Sequence, residues 1–166
     1  MPLPQLRLPV YVAFFSALSG ISHRAVAAYP NQPDFEDYRR LGDVVEKYSR
    51  NRENNTYGVT LRLRENAIRT LADGRVHSQG RLRGYGRYVI IDHGQGWHSL
   101  YSHLSRVDAQ QGKEVRRGSV IGTARHKRLF LVVSYRGNPI NPSDVMRKHL
   151  SGEQALQINV FATKKT

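Results

Sequence analysis

Gly84-Tyr85-Gly86-Arg87-Tyr88-Val89-Ile90-Ile91-Asp92-His93-Gly94-Gln95-Gly96-Trp97-His98-Ser99-Leu100-Tyr101-Ser102-His103-Leu104 reads as a tight β-hairpin whose second strand carries a histidine to an open face. From Tyr88 to His93 apolar side chains fall on both alternating faces, which suits a strand in the middle of a sheet. Gly94-Gln95-Gly96 supplies the backbone freedom for a short turn. Beyond it, the period of two puts Trp97, Ser99, Tyr101 and His103 on one face and His98, Leu100 and Ser102 on the other. Tyr101 and His103 are therefore expected to point the same way.

The flanking segments are mostly strands. Gly58 to Leu63 alternates Val59, Leu61 and Leu63 against Thr60 and Arg62, and Leu129 to Val133 is a continuous apolar run suited to a buried strand. Ser143 to Leu150 predicts a short helix after Pro142, with Ser143 as its N-cap. Phe35 to Tyr48 predicts one amphipathic helix, because Tyr38, Leu41, Val45 and Tyr48 recur at spacings of three and four. Glu36 with Arg40 and Asp43 with Lys47 would add modest helical pairs. So short a helix is marginal alone, so its apolar stripe is expected to cap the sheet; the alternative places it beside a groove, restraining access.

Four short motifs occur in order: Ala72-Asp73-Gly74-Arg75-Val76, the hairpin with its Tyr101-Ser102-His103-Leu104, Gly112 to Gly122, and Gly137-Asn138-Pro139-Ile140-Asn141-Pro142. Together they resemble the LytM domain, the lysostaphin-like zinc endopeptidase family of bacterial cell walls. The resemblance covers about ninety residues, Tyr57 to Met146, the size of one compact unit. It implies a mainly β fold, an antiparallel β-sheet domain of the duplicated hybrid motif type, here with a short N-terminal helix. The domain organisation expected is a signal peptide (1–27), a linker with the short amphipathic helix (28–56), the LytM-like domain (57–150) and a C-terminal tail (151–166).

The same resemblance exposes a loss. Active members hold zinc with a His and an Asp from His-x-x-x-Asp and with the second His of His-x-His, leaving a fourth position for water. Counting from Gly74 places the first pair near Asn55 and Val59, and counting from Gly137 places the His-x-His on Arg128-Leu129-Phe130. Val and Phe offer no lone pair, and Arg is a permanent cation. Only His103 survives, and alone it holds no metal; no cofactor is expected. Thr123 to Lys127 is also shorter than the corresponding loop of active members, which should lower one wall of the groove. His77, His93, His98 and His126 show no chelating spacing and read as structural or surface residues.

A zinc-free subset of LytM domains, the EnvC- and NlpD-like activators, docks on peptidoglycan amidases and relieves their autoinhibition. Leu82-Arg83-Gly84-Tyr85-Gly86 and Ser99-Leu100-Tyr101 resemble that subset, whereas the long coiled coil of EnvC-like proteins has no counterpart here. The resemblance implies a catalytically inactive regulator that binds and activates a peptidoglycan amidase in cell-wall remodelling and daughter-cell separation. The expected partner groove comprises Arg83, Tyr85, Tyr101, His103, Arg128 and Phe130, with no catalytic and no metal residue. A direct peptidoglycan-binding or scaffold module is the alternative, and a zinc endopeptidase with ligands such as His77, His93 and His126 is the third.

Composition fits an exported protein. Residues 1–27 combine Arg7, an apolar run from Val10 to Leu18 and a small-x-small Ala25-Val26-Ala27, the three-part pattern of a cleaved signal peptide; the run is too short for a membrane span. The periplasm, or the medium outside, is the expected location. Without cysteine there is neither a lipobox nor a disulfide framework. The net charge of +13 becomes +11 once residues 1–27, with Arg7 and Arg24 and no acid, are removed, and such a charge attracts polyanions, but no nucleic-acid fold or stacking platform is visible, so the expected anions are those of the envelope and of acidic partner surfaces.

Overall fold

A computed structural model describes residues 29, 31–50 and 55–146; the signal segment and the tail at 151–166 lie outside the described residues. The strands are β1 (Gly42–Glu46), β2 (Ser49–Arg50), β3 (Asn55–Thr56), β4 (Val59–Leu63), β5 (Ala67–Arg69), β6 (Gly74–Leu82), β7 (Gly86–Gly94), β8 (Trp97–Val107), β9 (Glu114–Val115), β10 (Val120–Ala124), β11 (Arg128–Tyr135) and β12 (Asn138–Ile140). A short helix, α1 (Pro142–Met146), follows. The main antiparallel sheet runs β1-β4-β11-β8-β7-β6-β9, with β12 beside β11 and β10 bridging β5 and β8. The β7–β8 hairpin forms as the sequence predicts, turning at Gln95 and Gly96, both at positive φ.

One face of this sheet is the core. Val59, Leu61, Val89, Ile91, Trp97, Tyr101, Leu129, Leu131 and Val133 are almost fully excluded from solvent there, packed with Ile68, Leu71 and Ile121. The face is closed by the segment before β1. Phe35 packs edge-on against Trp97 and His93, Tyr38 is buried, and the Tyr38 and Ser143 hydroxyls meet at 2.8 Å.

Phe35 to Tyr48 is not the single helix that its spacing predicts. Only Tyr38–Arg40 winds, as one 3₁₀ turn capped by Asp37, and β1 then pairs with the edge of β4. Strand pairing overrides a weak helical preference in so short a segment. Val45, counted in the apolar stripe, is exposed, and a bulge between Val44 and Glu46 breaks the alternation. At the other end Asn141, not Ser143, caps α1: its side-chain oxygen accepts the Ser143 N–H at 3.1 Å.

Tyr101 does not line a groove. It is fully buried, its Oη accepting the Leu71 N–H at 2.9 Å and lying 3.2 Å from the Ser99 hydroxyl, which in turn meets His93 Nε2 at 2.7 Å. Removing that acceptor strands a buried N–H. Tyr101→Phe is therefore expected to cost about 1–3 kcal/mol of stability in urea unfolding, and Tyr101→Ala more, through the cavity it leaves. An unchanged urea midpoint for Tyr101→Phe would contradict this placement.

Candidate functional site: a groove whose metal-ligand positions are vacated

The sheet face opposite the core carries a smaller cluster of Ile90, Leu100, Phe130 and Val132, with Tyr85 and Tyr88 packed against it. Register lines up the side chains across it: Thr60 of β4 pairs with Phe130 of β11, and Phe130 pairs with Ser102 of β8. Arg128, two residues from Phe130, shares this open face and pairs with Arg62. The polar face of β4 expected for Arg62 is thus the groove face itself.

His103 reaches the same face by a break in alternation. Its φ is +67°, and register shifts at this point, since Tyr88 pairs with Ser102 but Arg87 pairs with Leu104. The extra residue is a β-bulge, so Tyr101 and Leu104 both stay in the core while His103 swings outward. The bulge is held from two sides: the His103 N–H donates to the Tyr85 carbonyl at 2.6 Å, and the His103 carbonyl accepts the Arg125 N–H at 2.7 Å. The His103 ring then lies edge-on to Tyr85 with centroids 5.6 Å apart, and 6.5 Å from Phe130. Gly86, at φ +70°, lies against the bulge where an added Cβ would come within 3.5 Å of His103 Cα.

Three ligands for one metal must converge on one face, and this corrects the positions expected from sequence counting. Val59 faces the core, and the residue opposite Phe130 is Thr60. The His-x-x-x-Asp positions are therefore Thr56 and Thr60, one residue beyond Asn55 and Val59. Both hydroxyls donate to Glu46 of β1, Thr56 Oγ1 to Oε1 at 3.2 Å and Thr60 Oγ1 to Oε2 at 3.0 Å. These residues do not fit a catalytic zinc. Two neutral hydroxyls already committed to a carboxylate, a phenyl ring and a neighbouring guanidinium offer no three-ligand N/O set.

The electrostatics are mixed. Burial lowers the His103 pKa below 6.5, and the Arg128 charge lowers it further. Burial raises the Tyr85 pKa, with the Glu46 carboxylate adding to it. The two rings are in contact, so the imidazole that feels the Arg128 charge and the phenol that feels the Glu46 charge lie side by side.

Of the expected groove residues, Tyr85, His103 and Phe130 touch one another, Arg128 is exposed beside them, and Arg83 is exposed at the tip of the β6–β7 turn. Glu46, Thr56, Thr60 and Ser102 were missed; the helical reading of Phe35 to Tyr48 hid Glu46, and the one-residue slip hid the threonines. The shortened loop is a tight turn with His126 and Lys127 at positive φ, closed by the Arg128 N–H on the Arg125 carbonyl. His77, His93 and His126 do not converge: His93, half-buried, is held between the Asp73 carbonyl and Ser99, and His126 is exposed in that turn. His77 instead meets His98 and Asp92, a group the sequence reading did not assemble.

Residues 54–142 match the profile of peptidase family M23. The chain belongs to that family. It is 40% identical over 86 residues to the DD-carboxypeptidase/endopeptidase Mpg of Neisseria meningitidis, covering 47% of this chain and 19% of Mpg. It is 32% identical over 108 residues to the murein hydrolase activator NlpD of Escherichia coli, covering 61% of this chain and 28% of NlpD. Among solved structures, a putative peptidase M23 from Pseudomonas aeruginosa superposes with a TM-score of 0.56 at 25% identity, over 72% of this chain and 53% of that one. The chain thus spans less than a third of the length of these two curated relatives, and its M23 domain has the mainly antiparallel β architecture of the family.

Two outcomes follow from the histidines. Arg128→Ala should raise the His103 pKa, read by NMR titration of the ring protons, because a repelling charge is removed; an unchanged value would separate the two residues. His93, His98 and His103 all have pKa values lowered chiefly by burial. The unfolded chain then binds more protons below its own pKa near 6.5, so their contribution is present above that pH and lost as pH falls. The urea midpoint should drop between about pH 7 and 5, and less so in His103→Gln.

Proposed function

We propose that this protein is a non-hydrolytic LytM-domain regulator that binds and activates a peptidoglycan amidase during cell-wall remodelling and daughter-cell separation. The observation that carries the reading is the replacement of all three ligand positions by Thr56, Thr60 and Phe130, with Glu46 bridging the two hydroxyls. A peptidase of this family without its zinc has no activated water, so what remains of the groove is a recognition surface. The similarity to NlpD supports activation as the form that recognition takes. Exposed Arg128 near the packed Tyr85 and Phe130 rings suits a carboxylate-bearing partner segment, since Arg and aromatic groups dominate such contacts. The proposed site is Arg83, Tyr85, His103, Arg128 and Phe130, with export by the 1–27 segment placing it in the periplasm. Among the described residues, no helix is long and apolar enough to cross a membrane.

A second reading, direct binding of peptidoglycan, is favoured by the net charge of +11 that remains without residues 1–27 and by the Arg62–Arg128 pair on the open face. Dye release from labelled sacculi separates the two. With the organism's amidases added one at a time, the protein should accelerate release by one of them and release nothing alone. Arg128→Ala should weaken activation by about 2 kcal/mol at a hot spot, roughly 30-fold in the half-maximal concentration. Arg106→Ala, beside Asp108 beyond the groove, should leave it unchanged. Release by the protein alone, or retention on sacculi without any effect on an amidase, would overturn activation.

A further inference from the structure

At the other end of the open face, His77, Asp92 and His98 come together from three neighbouring strands. Asp92 and His98 are cross-strand partners in the β7–β8 hairpin, with His98 Nε2 3.8 Å from Asp92 Oδ1. His77 joins them because β6 has a register shift between Val76 and Ser78, and its ring stands edge-on to His98 with centroids 5.6 Å apart. One ligand atom from each of the three lies within 4.8 Å of the others. We propose that these residues form a zinc site, distinct from the vacated groove.

The donor chemistry fits. Two imidazoles and one carboxylate are the ligand types of three-coordinate protein sites for zinc, and they leave the fourth tetrahedral position to water. Zinc bonds of about 2.0–2.1 Å at tetrahedral angles set ligand atoms roughly 3.4 Å apart. The ligand atoms lie within 4.8 Å of one another, with His98 Nε2 and Asp92 Oδ1 at 3.8 Å, so metal binding requires them to draw together by about an ångström or less, and the exposed His77 ring has room to move. Asp92 is already oriented: its Oδ1 accepts the Gly94 N–H at 2.8 Å, the kind of supporting bond that fixes a ligating carboxylate. Among the described residues this is the one group of three His, Cys, Asp or Glu side chains so disposed, and the sequence has no cysteine to compete for the metal.

The place matters as much as the chemistry. His98 and Ser102 are four residues apart on β8, about 13 Å, so a metal here is too far from His103 to act on a bond held in the groove. Between them lie Ile90 and Leu100 of the open-face cluster. A zinc at this position ties β6, β7 and β8 together and stiffens the hairpins that carry Tyr85 and His103.

The test uses the full chain, stripped with a chelator and titrated with zinc chloride by calorimetry, with native mass spectrometry for stoichiometry. One zinc per chain is expected, with a melting temperature raised by about 5 °C or more at hundredfold excess over Kd. Cobalt(II) in its place should give the visible absorption of a low-coordinate N/O site. His77→Ala, at an exposed position that folding tolerates, and His98→Gln should each weaken zinc binding at least tenfold, whereas His126→Ala should not change it. No binding at 100 µM zinc would overturn the proposal. So would binding that survives both substitutions, which would place the metal elsewhere in the chain.

Discussion

The bulge at His103 is the constraint on which the open face depends. A regular β8 would place His103 on the core side with Tyr101, where a polar ring would need buried partners, and would push Leu104 out into solvent. One extra residue resolves both conflicts. The backbone groups freed by the bulge are satisfied by the Tyr85 carbonyl and the Arg125 N–H, so the β6–β7 turn and the β10–β11 turn are fixed to the same point. Those two turns carry Tyr85 and lead into Arg128. The geometry of the groove is thus set by backbone hydrogen bonds, and its side chains can diverge from a metal-binding set without loss of the scaffold.

Glu46 explains what such divergence leaves behind. A metal site stripped of its metal would leave side chains of like polarity crowded together without compensation. Here two threonine hydroxyls donate to one carboxylate, Phe130 covers the neighbouring strand position with apolar surface, and the cation Arg128 stays at the exposed rim. The strand that supplies Glu46 also extends the sheet edge beyond β4, so the segment before the family-matched residues contributes to the groove and to the core alike.

Much of this was legible in the sequence. The alternation in β4, the apolar run of β11 and the Gly94-Gln95-Gly96 turn encode strands and their order, and the missing His and Asp between Thr56 and Ala72 are plain from composition. Three things were hidden, each for a physical reason. A period of two carries through a bulge on paper but not in space, so Tyr101 was assigned to the wrong face. A one-residue count error flips every side chain of a strand, which exchanged Val59 for Thr60. And Phe35 to Tyr48 spaces its apolar residues as a helix would, while the free edge of β4, invisible in the sequence, offers it a ladder of hydrogen bonds. Asp92 and His98 flank the hairpin turn symmetrically and could have been paired from its register; His77 could not, because a second bulge turns it toward them.

The central claim is that the groove recognises and does not cut. The most direct measurement is mass spectrometry of muropeptides after purified sacculi are incubated with the protein alone at micromolar zinc. The account predicts a muropeptide profile identical to that of untreated sacculi, cross-links intact. New products from cleaved peptide bridges, lost when Phe130 or Thr60 is replaced, would contradict it by showing that the vacated positions still support hydrolysis.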